Sequence, residues 1–126
     1  MIALLLVSHL DRVAAAVRDL ITELAGADVV VGTAGGTSGF GVDLATIEAE
    51  IRRLSDRGAT HIVALGDMGS SVILLEESAC GADVPIEVVD APFLEGAVAS
   101  AMVLATGGGA SEARTAAEAA YDLRKR

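Results

Sequence analysis

The apolar positions change their period along the chain, and each change marks an element. Ile2-Ala3-Leu4-Leu5-Leu6-Val7 is an unbroken apolar run, the pattern of a strand covered on both faces, as in the middle of a parallel sheet. It stops at Ser8-His9. From Val13 the spacing becomes helical: Val13, Ala16, Val17, Leu20, Ile21 and Leu24 recur at i, i+3, i+4 and i+7. Asp11 is placed to act as the N-cap of that helix and Gly26 to close it. Val29-Val30-Val31 open a second strand that runs to Ala34. The loop Gly35-Gly36-Thr37-Ser38-Gly39-Phe40-Gly41 holds four glycines in seven residues, which excludes a regular element.

Asp43 reads as the next N-cap. Leu44, Ile47, Ile51 and Leu54 are the stripe of a second helix, with Glu48 and Arg52 spaced as an i,i+4 ion pair and Gly58 at its end. Thr60 to Leu65 is a third strand, followed by Gly66-Asp67-Met68-Gly69-Ser70-Ser71. A third helix starts at these serines with Val72, Leu75 and Ala79 inward. Val84 to Val89 is a fourth strand, with Pro85 suited to a strand start. A helix rich in small residues follows Ala91-Pro92-Phe93 and runs to Thr106. Gly107-Gly108-Gly109 break the pattern. Ser111 is placed to cap a last helix with Ala113, Ala116, Ala117, Ala120 and Leu123 inward, and Arg124-Lys125-Arg126 would complement its C-terminal dipole.

This alternation predicts an α/β fold, an open doubly wound and mainly parallel sheet with helices on both faces, as one domain over residues 1–126. In such sheets ligands bind at the carboxyl ends of the strands. Three loops are expected on that edge: Ser8-His9-Leu10, the glycine loop from Gly35, and the loop from Gly66.

Composition narrows the function. The only aromatic residues are Phe40, Phe93 and Tyr121, so the core must be aliphatic. A net charge of −9 disfavours nucleic acid as a partner, because few cations are present to displace phosphate counterions. Cys80 is the one cysteine; it can form no intrachain disulfide, and with no Cys/His cluster no metal site is expected. No stretch approaches the roughly 20 apolar residues that span a bilayer. The expectation is a soluble cytoplasmic protein, not embedded in a membrane.

His9 is the candidate for chemistry, since an imidazole can serve as nucleophile, general base or metal ligand. A metal role is poorly supported, because His61, the other histidine, belongs to the opposite end of a strand. The loop from Gly66 does not match the G-x-S-x-G elbow of serine hydrolases. No G-x-G-x-x-G follows a strand, and no Walker sequence exists. What remains is a histidine beside a carboxylate, Asp67. The carboxylate can accept one ring N–H and leave the other nitrogen free to attack. Gly36, Gly69 and Ser70 could hold a transferred phosphoryl group through amides and a hydroxyl. Each feature has a plainer reading: a surface histidine, a turn aspartate, a tight glycine connection.

In combination the motifs resemble a family. Val7-Ser8-His9 after an amino-terminal strand, with Leu65-Gly66-Asp67-Met68-Gly69-Ser70 after the third, is similar to the mannose-type enzyme IIA domains of the sugar phosphotransferase system (PTS). The Asp67-Met68-Gly69-Ser70 loop and Ala91-Pro92-Phe93-Leu94-Glu95-Gly96 look most like the phosphotransferase subunit of bacterial dihydroxyacetone kinase. The resemblance implies that His9 accepts a phosphoryl group from the phosphocarrier protein and passes it to ADP on the nucleotide-binding kinase subunit, with Asp67 orienting His9. It also implies a homodimer, and it calls for no cofactor. A transporter IIA domain and a non-catalytic interaction module are the alternatives. The chain departs from the pattern at Leu10, where serine is usual, and at Val42, in a segment that often reads Gly-Thr-Asp.

Overall fold

Burial on both faces is what the first apolar run requires, and the sheet provides it. The computed structural model describes residues 1–126. β1 (Ile2–Ser8) lies between β2 (Val31–Gly35) and β3 (His61–Gly66), and β4 (Ile86–Val88) pairs with the far side of β3. The order is β2-β1-β3-β4 and every pairing is parallel. Alternation along β1 sends Leu4 and Leu6 to one face and Ala3, Leu5 and Val7 to the other. On the first face they meet α1 (Asp11–Ala25), α4 (Phe93–Ala105) and α5 (Ala110–Ala119), through Val17, Ile21, Ala97 and Ala117. On the second they meet α2 (Leu44–Asp56) and α3 (Gly69–Cys80), through Ile47, Ile51, Leu54 and Leu75. The expected doubly wound architecture is therefore present, with a sheet parallel throughout.

Small residues in α4 serve close packing. Gly96, Ala97, Ser100 and Ala101 are buried, and a Cβ at Gly96 would press on Ala91 and Leu65. The Ser100 hydroxyl donates to the Ala113 carbonyl of α5 at 3.2 Å, which satisfies a buried polar group.

Several local expectations are corrected. Asp11 is the first residue of α1, with Leu10 at the N-cap position and no side-chain cap. The turn needs none: the Leu10 N–H donates to Ser8 Oγ at 3.2 Å and the Asp11 N–H to the Gly36 carbonyl at 3.0 Å. Asp43 does cap α2, accepting the Thr46 N–H at 2.8 Å; the Thr46 side chain first, and this amide second, hold its carboxyl below the usual range. Arg53 pairs with Glu50 one turn earlier, in place of the expected Arg52–Glu48 pair. The buried stripe of α3 is Ser71, Leu75 and Ser78, not Val72, Leu75 and Ala79. Both serines are satisfied where they lie, Ser78 on the Leu74 carbonyl and Ser71 on Asp67. Strand β4 is shorter than Val84–Val89, although Pro85 and Val89 still bond to β3.

α5 begins at Ala110 with Gly109 at its N-cap, so Ser111 lies inside the helix. The Glu112 carboxylate reaches back to accept the Gly109 N–H at 3.2 Å, the half of a capping box that a glycine cap leaves possible. A single 3₁₀ turn, Ala120–Asp122, follows. Leu123 then leaves the helix and is 67% exposed, and Lys125 approaches Glu95 at 3.5 Å instead of the helix terminus.

Candidate functional site

The parallel register of β1 and β3 creates the site. Val7 stands opposite Gly66, so the residues that leave the two strands, His9 and Asp67, meet although they lie 58 positions apart. The Asp67 N–H donates to the Val7 carbonyl at 3.0 Å, continuing the ladder. A Cβ at Gly66 would collide with Ser71 and Val72. Glycine there lets the first turn of α3 close over the strand end, which carries Ser70 and Ser71 to the histidine.

Asp67 is held on every side. Its Oδ1 accepts from His9 Nδ1 at 3.0 Å and from the Ser71 hydroxyl at 2.7 Å. Its Oδ2 accepts from the His9 N–H and the Ser8 hydroxyl, each at 3.0 Å. Burial pushes the carboxyl up and is the largest single influence. The donors, Ser71 first, then the His9 amide, the His9 ring and Ser8, together outweigh it and hold Asp67 below the ordinary carboxylate range. Only 12% of the His9 side chain and 16% of the Asp67 side chain are exposed.

The tautomer of the neutral ring follows from this geometry. An ionised carboxylate is an acceptor only, so the nitrogen facing it, Nδ1, carries the proton. Nε2 then has a free lone pair and accepts from the Ser70 hydroxyl at 2.8 Å. Nε2 is thereby directed towards the amino end of α3. The amides of Gly69 and Ser70 open that helix and have no intrahelical acceptor, and the helix dipole there favours an anion.

Of the expected site residues, the structure brings His9, Asp67 and Ser70 into direct contact and places Gly69 beside them. A Cβ at Gly69 would meet nothing within 4 Å, so the space over it is open. Gly36 sits differently. Its N–H donates to the His9 carbonyl at 3.2 Å, and that amide fixes the His9 backbone and does not face Nε2. A Cβ at Gly36 would run into the carbonyl oxygens of Gly41, His9 and Gly39. Gly36→Ala is therefore expected to lower stability by about 1–3 kcal/mol, the usual cost of overpacking a close contact. Urea denaturation checks this, and an unchanged midpoint would mean that the loop yields freely.

Three contacts were not assigned from the sequence. Ser8 and Ser71 both donate to Asp67, and their spacing carried a signal: Ser71 is one helical turn after Asp67, and Ser8 adjoins His9. The third is Phe40, whose ring stacks on His9 with centroids 4.8 Å apart and planes at 26°. The two departures from the family pattern lie close by. Leu10 occupies the N-cap position of α1, and Val42 packs on the core under α2.

No three His, Cys, Asp or Glu side chains gather as a metal-ligand set. The cavity of the molecule, about 220 Å³ between α2 and α3 and lined by Arg52, Ser55, Glu77 and Asp83 among others, does not include His9. No helix is long and apolar enough to cross a membrane.

A family model described as the PTS system fructose IIA component (EIIA-man) matches residues 3–113. A crystal structure of a protein of unknown function, EF1359, superposes with a TM-score of 0.82 at 25% identity, covering 99% of this chain and 96% of that one. No curated protein matches the chain.

Proposed function

From the premise that the chain belongs to the PTS fructose IIA component family, whose domains transfer phosphoryl groups received from phosphocarrier proteins, we propose that residues 1–126 act as a phosphohistidine carrier with His9 as the acceptor. One observation carries this reading: Nδ1 is bonded to an ionised Asp67 while Nε2 points at the Ser70 hydroxyl beside the α3 amino terminus.

The Nε2 lone pair attacks the phosphorus of the donor's phosphoramidate. A new N–P bond forms as the donor's N–P bond breaks, and the electron pair of the broken bond stays on the donor nitrogen. The ring gains positive charge while Nδ1–H remains on Asp67, which stabilises it electrostatically. Ser70 and the Gly69 and Ser70 amides receive the equatorial oxygens, where the charge of the transferring group lies. The reverse sequence delivers the group to the acceptor. The site lies outside any deep cavity, as transfer between two proteins requires.

The acceptor we favour is ADP on the nucleotide-binding subunit of a dihydroxyacetone kinase, on the Asp67-Met68-Gly69-Ser70 and Ala91-Pro92-Phe93 motifs. The second reading, a transporter IIA domain delivering to a IIB partner, is favoured by the description of the matching family. The test has two steps. The protein is mixed with phosphoenolpyruvate, the PTS upstream enzyme and the phosphocarrier, and acid-labile label on His9 is sought. Labelled protein is then offered to the ADP-loaded kinase subunit and to a IIB domain. Label reaching ATP supports the kinase reading, label reaching IIB supports the transporter reading, and no labelling at all supports a non-catalytic module.

With a net charge of −9, association with a basic donor face is expected to be electrostatically steered. Transfer from the donor should slow as salt rises from about 20 to 500 mM, mainly through association, because screening shortens to roughly 3 Å at molar salt. A salt-independent rate in stopped-flow measurements would leave apolar docking as the basis of recognition.

A further inference from the structure

Phe40 is placed where solvent should disfavour it. The chain has two phenylalanines. Phe93 packs against the core, whereas Phe40 is 76% exposed and makes its one aromatic contact with the His9 ring. A side chain needed only for folding would be expected in the core, where it removes most apolar area from water.

The backbone around Phe40 is organised for that contact. Gly39 (φ +149°) and Gly41 (φ +108°) flank it, in conformations that favour glycine. Both ends of the loop are tied to a single acceptor: the Gly36 and Gly41 N–H groups donate to the His9 carbonyl at 3.2 and 2.9 Å. The loop that carries the phenyl ring is thus anchored on the residue whose imidazole the phenyl ring covers. Asp67 holds one edge of the imidazole and Ser70 meets the other. These two contacts fix the edges, and a stacked ring adds a constraint on the plane.

We propose that Phe40 is a positioning residue for His9: its ring holds the imidazole plane so that Nδ1 stays on Asp67 and Nε2 faces the phosphoryl group, and it covers one face of the phosphohistidine against water. The inference rests on the reading of His9 as the phosphoryl acceptor. The phenyl face also suits the charge that develops, since an aromatic quadrupole attracts a cationic ring lying over it.

The test compares Phe40→Leu, which keeps an apolar side chain without a π-face, with Phe40→Tyr, which restores the ring. Two readouts are independent of the protein donor. The first is the ¹⁵N signals of the His9 ring in the unphosphorylated protein, which report which nitrogen carries the proton. The second is the lifetime of phosphohistidine made with phosphoramidate, in which the phosphoryl group moves to Nε2 and ammonia leaves. Decay follows as water attacks phosphorus, the N–P bond breaks and inorganic phosphate is released.

Phe40→Leu is expected to shift the ring-nitrogen signals and to shorten the lifetime about two- to tenfold, the range a stacked aromatic contact supports. Phe40→Tyr should match the wild type in both. Wild-type signals and lifetime in Phe40→Leu overturn the proposal and leave Phe40 as a docking contact, visible only in the concentration dependence of transfer from the phosphocarrier. Shifted signals with an unchanged lifetime remove the cover and keep the positioning role. A wild-type protein that neither phosphoramidate nor the phosphocarrier labels at His9 overturns the acceptor reading, and the ring-nitrogen signals still decide whether Phe40 sets the imidazole.

Discussion

His9→Ala is expected to abolish phosphoryl acceptance while leaving the fold intact. In the proposed mechanism the ring is the source of the nucleophilic lone pair, and neither Ser70 nor Asp67 can replace it in forming a phosphoramidate. The fold is insulated from the change because His9 follows β1 and contributes nothing to either core. Its backbone contacts also survive in alanine: the N–H to Asp67 and the carbonyl that accepts from Gly36 and Gly41. Asp67 keeps the Ser8 and Ser71 donors. The measurement is incorporation of label from phosphoenolpyruvate through the phosphocarrier, with thermal unfolding as the control for structure. Normal labelling of the variant would move the acceptor to His61, the other histidine, which is exposed at the opposite end of β3.

Asp67→Asn is expected to slow transfer by on the order of 10²-fold or more, the usual scale for losing one preorganised partner of a reacting group. An amide has the size of the carboxylate but two failings. It carries no charge to offset the ring as it becomes cationic, and it can turn its NH₂ towards Nδ1. That would shift the ring proton to Nε2 and occupy the attacking lone pair. A transfer rate equal to that of the wild type would reduce Asp67 to a turn residue.

The same substitution has a pH signature. The folded pKa of Asp67 is lowered, so its contribution to stability is fully present above the ordinary carboxylate pKa. It is lost as the pH falls through the lowered folded value. Relative to the wild type, Asp67→Asn should be most destabilised near neutral pH, with the two proteins converging in acid. Urea denaturation across that range checks the sign, and a stability gap that widens on acidification would contradict it.

The elements and their order were legible because their signals are local. The unbroken run of residues 2–7 identified a strand buried on both faces, and the 3.6-residue spacing identified α1 and α2. Helix starts were less legible. Asp43 caps α2 as its position suggests, but Asp11 and Ser111 do not cap α1 and α5. Their helices take amide partners from Ser8 and Gly36 in one case and Glu112 in the other, and of these Gly36 is supplied by the end of a neighbouring strand, β2. The α3 stripe is not legible in the pattern of apolar positions, because two of its buried residues are the serines Ser71 and Ser78. They become inward-facing only once Asp67 and the Leu74 carbonyl are present to receive their hydroxyls.

At the site, the sequence by itself determined the chemical types: a histidine after β1, a carboxylate and serines after β3, and a glycine-rich loop after β2. Strand adjacency was decided by the tertiary structure, through the β2-β1-β3-β4 order and its parallel register. That register brings Asp67 onto Nδ1, directs Nε2 to Ser70, commits the Gly36 amide to the His9 carbonyl, and lays Phe40 across the imidazole. The division has a physical cause. Periodicity and capping depend on neighbours within a turn or two of the chain. Hydrogen-bond partners and ring stacking depend on distances in space between loops that the sequence leaves far apart.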